Sequence, residues 1–110
     1  MRDSALKRAK KQGHIAYNPH ACEYFDKLSK KRGWKLKHAL NGGETSCVGY
    51  SLDAYDKKRN IVVEYDEPHH YTVLGNLKRK DIKRQKRIVE ALGCKFYRYN
   101  EREKRLIKVT

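Results

Sequence analysis

Between residues 53 and 70 the chain gathers Asp53, Glu64, Asp66 and the adjacent pair His69 and His70. Carboxylate oxygens are the ligands that hard divalent cations take, and imidazole is the side chain that exchanges a proton near neutral pH. Asp53 and Glu64, placed on neighbouring strands, would form an oxygen site suited to Mg²⁺, with Mn²⁺ as a substitute. A metal held there can polarise a phosphate and lower the pKa of bound water. Asp66 follows Glu64 by two residues, so it shares that strand face and can join the shell. His69 or His70 could take the proton from an attacking water or protonate a leaving oxygen. Zinc is a rival use of two histidines among carboxylates, but the oxygen-rich set favours magnesium.

Further candidates lie outside this stretch. Asp81 could orient a histidine or hold a metal-bound water, or simply favour a helix dipole. Glu44, after two glycines, could reach the same site. Lys78, Arg79, Lys83, Arg84, Arg87 and Arg98 are candidates for nucleic-acid backbone contacts. Against all of these stand ordinary readings: solvated hairpin ends, a histidine pair in a loop, basic side chains that merely cover a surface.

Positioning these groups needs a hairpin, a helix and a following strand. Asn18-Pro19 is a helix start, because Asn can cap free N–H groups and Pro suits the first helical position. Ala21, Phe25, Leu28 and Arg32 then recur on one face, and Gly33 is placed as the stop. A strand is expected over residues 34–40, then a turn at Asn41-Gly42-Gly43. Residues 47–55 read as a second strand, 56–60 as a polar turn and 61–65 as a central apolar strand, pairing so that Asp53 approaches Glu64. Pro68 ends that strand, and 69–76 is a loop. Residues 77–92 read as a helix stopped by Gly93. Its Asp81, Gln85, Ile88 and Leu92 share the inward face, and its basic residues point elsewhere. Residues 94–100 form a strand beside 61–65 through a helical crossover, and the tail 101–110 supplies an edge strand. The expected fold class is α/β, with a mixed central sheet of hairpin plus βαβ crossover flanked by helices.

The chain has 110 residues and a net charge of +14, from 27 basic and 13 acidic side chains. Residues 1–38 carry 11 basic against 3 acidic groups and residues 76–110 carry 13 against 4, whereas residues 39–75 carry 3 against 6. Basic flanks around an acidic centre suit a polyanion partner whose counterions are released on binding. The natural division is a basic N-terminal arm, 1–16, and a catalytic domain, 17–110. Cys22, Cys47 and Cys94 form no metal-binding spacing, and their odd number points to reduced thiols in a cytoplasmic setting. No apolar run is long enough for a bilayer, so no membrane partner is expected.

The string D-(x10)-E-x-D-(x3)-H, at Asp53, Glu64, Asp66 and His70, continues with Asp81-x-x-Arg84, Leu92-Gly93 and Tyr97-Arg98. It resembles the Vsr-like and EDxHD branch of the PD-(D/E)XK nuclease superfamily, over residues 47–99. The resemblance implies a restriction-endonuclease-like core, Mg²⁺ dependence and hydrolysis of DNA phosphodiester bonds. Asp53 would then be the central metal ligand and His69 or His70 the acid–base group. The superfamily's lysine two residues after the acidic ligand is Asp66 here, and the glycine often found next is Glu67. The structural-zinc ligands of the repair enzymes have no counterpart, which leans the expectation towards a homing-type or mobile-element endonuclease. So small a domain would draw specificity from a homodimer or an additional DNA-recognition domain. The rival expectation is a non-catalytic nucleic-acid-binding module with structural acidic residues.

Overall fold

The computed structural model describes residues 17–72 and 74–110; the basic arm expected at 1–16 lies outside the described residues. Helix α1, Pro19–Arg32, begins where the Asn18 side chain accepts from the backbone N–H of His20 (2.9 Å) and Ala21 (3.3 Å). It ends at Gly33, whose φ of 72° is left-handed backbone that a side chain would strain. Helix α2, Arg79–Leu92, ends in the same way at Gly93. Asn60 adds a second stop to α2, donating its side-chain amide to the Leu92 carbonyl at 2.8 Å.

The strands are β1 (Thr45–Cys47), β2 (Tyr50–Leu52), β3 (Ala54–Asp56), β4 (Ile61–Asp66), β5 (Lys95–Asn100) and β6 (Arg105–Lys108). Strands β1 and β2 form a separate antiparallel hairpin, and the main sheet runs in the order β3-β4-β5-β6. Only the β4–β5 pair is parallel, joined by α2 as the crossover. The result is the expected mixed α/β architecture. Among the described residues no helix is long and apolar enough to cross a membrane.

Every residue of β4 is buried, so its alternation is split between two packed faces rather than between core and solvent. Ile61, Val63 and Tyr65 pack with Ala21, Phe25 and Leu28 of α1. Val62 packs on the other side with Phe96 and with Ile88 of α2. Complete burial of Phe25 and Phe96 contributes roughly 1.5–3 kcal/mol apiece. Glu64 and Asp66 have the same parity as Val62, so these two carboxylates face α2.

Two expected elements differ. Residues 34–40 do not form a strand. Side chains take their N–H groups instead: Ser29 Oγ accepts from Leu36, Asp56 Oδ2 from Lys35 and Asn41 Oδ1 from His38. Only Lys37 bridges the sheet, at Tyr55. The single strand expected over 47–55 is broken twice, by a tight turn at Val48-Gly49 and by a bend at Asp53. Both turn residues have positive φ, 44° and 86°, which suits a two-residue hairpin but is strained for a β-branched valine.

Asp56 pins the 34–40 segment from below. Burial alone would raise its carboxyl; the backbone N–H groups of Lys35 and Arg59, with the Arg59 guanidinium, outweigh burial and hold it below its ordinary 3.8. A depressed carboxyl contributes stability that is full above 3.8 and is lost as pH falls through the lower folded value. Asp56→Asn should therefore cost about 1–2 kcal/mol at neutral pH. In denaturant titrations that difference should shrink at acidic pH; a cost independent of pH would contradict this role.

Candidate functional site

An open cavity of about 640 Å³ sits at the carboxyl end of β4. Its walls come from residues 17–22 at the start of α1, from Asp53, from Glu64, Tyr65 and Glu67, from His70, and from Asp81 and Arg84 of α2. The crevice beyond the carboxyl ends of parallel strands is where open α/β sheets place their ligands.

Asp53 lies at the bend between β2 and β3, and the antiparallel register that sets Ala54 opposite Val63 carries it to Glu64. The two are clasped reciprocally. Asp53 N–H donates to Glu64 Oε2 at 2.9 Å, and Tyr65 N–H donates to Asp53 Oδ2 at 2.9 Å. Asp53 Oδ1 has no hydrogen bond among the described residues. Burial, and then the charge of Glu64, hold the Asp53 carboxyl well above its ordinary value; the Tyr65 N–H and Arg84 counteract this and Glu44 adds to it. Glu44 also lines the cavity, and burial followed by repulsion from Glu64 raises it too. Such mutual elevation marks carboxylates crowded together beyond what their surroundings neutralise.

Arg84 is the cation that answers them. Its Nε donates to Glu64 Oε1 at 2.8 Å, a second nitrogen donates to the Ser51 carbonyl, and the guanidinium lies 5.0 Å from the Tyr50 ring centre. Arg84 was expected to contact nucleic acid; here it is turned inward against Glu64. Each Glu64 oxygen thus has one donor and retains a second lone pair.

The residues fit a hard cation. Asp53 offers a free oxygen, Glu64 keeps acceptor capacity and Glu44 lies in the same cavity, all oxygen donors of the kind Mg²⁺ takes.

His70 stands on a 3-10 turn, Pro68–His70, and its Nδ1 is 3.1 Å from Asp81 Oδ1. A carboxylate only accepts, so Nδ1 carries a proton, and in the neutral ring Nε2 presents its lone pair. Asp81 is 6% exposed, on the inward face of α2 as its position implied. Its Oδ2 is buried without a hydrogen-bond partner among the described residues, which costs free energy. His69 is exposed and does not line the cavity; of the pair only His70 does.

Asp66 and Arg98 depart from expectation. Asp66 is 1% exposed; its Oδ1 accepts from Arg98 Nη1 at 2.7 Å and its Oδ2 from the Tyr71 hydroxyl at 2.9 Å. Arg98 also donates to Gln85 Oε1 at 2.6 Å and to the Asp81 carbonyl at 3.2 Å. Asp66 therefore joins no metal shell and Arg98 reaches no phosphate. Together they form a buried strut that fixes α2, and with it Asp81, against the sheet. Of the remaining basic candidates, Arg79, Lys83 and Arg87 are exposed along α2 and Lys78 is half-buried before it.

Glu67 and His20 also line the cavity, and neither was among the candidate site residues. For Glu67 the available signal was the E-x-H-H spacing at the strand exit. His38, fully buried, is bound at both nitrogens by Asp26 and the Leu40 N–H and serves the fold alone. No protein-family model, curated protein or solved structure matches the chain.

Proposed function

We propose that the protein is a divalent-metal-dependent DNA endonuclease, of the homing or mobile-element type that its sequence motif resembles. The observation that carries this reading is a single cavity that holds Asp53, Glu64 and Glu44 together with the His70–Asp81 pair. It lies in a chain of net charge +14 whose helix α2 carries exposed basic residues. The acids are suited to a cation, and the basic surface to a phosphate backbone.

Bound Mg²⁺ would supply Lewis-acid stabilisation of the phosphorane-like charge and an acidified water. The protein's own groups do the rest. The reciprocal Asp53–Glu64 clasp fixes the spacing of the two carboxylates. Arg84 neutralises Glu64 and so moderates the repulsion within the cavity. Asp81 holds His70 in the tautomer whose Nε2 accepts a proton. Arg79, Lys83 and Arg87 offer charge to flanking phosphates.

The test is incubation of the protein with supercoiled plasmid and, separately, with RNA, in Mg²⁺, Mn²⁺ or chelator. Cleavage of DNA in Mg²⁺ that chelator abolishes is the expected result. His70→Ala should then slow cleavage by roughly a hundredfold, the lower end of what a positioned acid–base group contributes. The donors already on both Glu64 oxygens favour one other reading, a non-catalytic DNA-binding module. DNA binding in gel shifts with no cutting in any divalent metal would decide for it.

A further inference from the structure

We propose a second metal site, for a borderline transition ion such as Zn²⁺, formed by Glu67, His69 and His70 on the rim of the cavity. One potential ligand atom from each residue lies within 4.8 Å of the other two. Tetrahedral zinc with bonds of about 2.0–2.1 Å sets its ligands roughly 3.3 Å apart. The exposed His69 ring and the half-buried Glu67 side chain can close that gap by rotation, without backbone movement.

The backbone beneath is rigid. His70 N–H donates to the Glu67 carbonyl at 3.0 Å, Tyr71 N–H to Pro68 at 3.1 Å, and Lys78 N–H to the His70 carbonyl at 2.9 Å. The two imidazoles lie side by side with ring centres 4.5 Å apart.

A second observation points to an ion at this place. Asp81 Oδ1 holds His70 Nδ1, which is the carboxylate–histidine arrangement that fixes a metal-binding ring and raises its basicity. Two imidazoles and one carboxylate suit zinc, cobalt or nickel, whereas the all-oxygen set at Asp53 and Glu64 suits magnesium. The two sites thus differ in ion and share a wall. If the nuclease reading holds, zinc on His70 Nε2 removes the lone pair that would accept the proton, and zinc inhibits cleavage. That corollary rests on the nuclease reading; the binding itself does not.

The experiment is titration of the full chain with Zn²⁺ by calorimetry and with Co²⁺ by visible ligand-field absorption, both without DNA and in excess Mg²⁺. One equivalent is expected to bind. Affinity should fall at least about tenfold in His69→Ala and in Glu67→Gln, and by about ten- to a hundredfold in Asp81→Asn. It should be unchanged in Asp53→Asn. Unaltered affinity in His69→Ala, or affinity lost instead in Cys22→Ser, Cys47→Ser or Cys94→Ser, would overturn the assignment. In cleavage assays the zinc concentration that halves activity should rise at least about tenfold in His69→Ala, relative to that variant's own zinc-free rate.

Discussion

Asp53→Asn should abolish Mg²⁺-dependent cleavage while making the metal-free protein more stable. On the proposed reading Asp53 is a central metal ligand, and its loss forfeits several kcal/mol of transition-state charge stabilisation, on the order of a thousandfold or more in rate. The amide is nearly isosteric, and its oxygen can still accept from the Tyr65 N–H, so the clasp and the fold persist. The gain in stability follows from the electrostatics. Burial and the neighbouring Glu64 and Glu44 charges raise the Asp53 carboxyl, so the folded state favours the protonated, neutral form. A raised acid contributes stability while protonated and loses it as pH rises through its folded value. Asparagine resembles the protonated form at every pH. Its advantage over wild type should therefore grow as pH rises from 3.8 and level off once the raised folded value is passed.

Mg²⁺ should act unequally on the two proteins. On the proposed reading it should bind the folded wild type and raise its unfolding temperature by mass action, whereas Asp53→Asn should gain little from the same concentration. Thermal melts with and without Mg²⁺, run beside the plasmid assay, check both halves. Cleavage by Asp53→Asn at the wild-type rate would end the catalytic reading. Loss of cleavage with loss of folding would end the argument that these carboxylates are crowded at the expense of stability.

The parts of this design that could be read in the sequence are those set by short-range signals. Asn18-Pro19 and Gly33 bound α1, Gly93 bounds α2, and the polar turn at 57–60 sets the β3–β4 register that brings Asp53 to Glu64. The misread parts depend on partners far along the chain. Residues 34–40 look like a strand, but Ser29, Asn41 and Asp56 satisfy their N–H groups. Val48 hid the β1–β2 turn, because valine is among the residues least suited to positive φ; Gly49 alone marked it. At the site, alternation correctly put Glu64 and Asp66 on one face. It could not say that Arg84 would meet the first and Arg98 the second, since that choice follows from how α2 seats on the sheet.

Arg98→Ala should destabilise the protein by about 3–5 kcal/mol, the usual consequence of leaving one member of a buried ion pair without its partner. Arg98 is 6% exposed and Asp66 1%, so water cannot replace the lost guanidinium. Burial already raises the Asp66 carboxyl, against the opposing pull of Arg98 and the Tyr71 hydroxyl; without Arg98 the acid must protonate or remain an uncompensated charge. A loss of this size is a large fraction of the 5–15 kcal/mol typical of a whole domain. The second variant, Asp66→Asn with Arg98→Met, removes both charges and should recover much of the loss, because no uncompensated buried charge remains. Denaturant unfolding of the single variants and the double variant gives the coupling directly. Had Arg98 instead met phosphate, Arg98→Ala would leave unfolding within about 0.5 kcal/mol of wild type and would weaken DNA binding with a shallower salt dependence. Because Arg98 also holds the Asp81 carbonyl, the stable double variant should show slower cleavage through a displaced His70–Asp81 pair. The buried strut would then matter to catalysis by position alone.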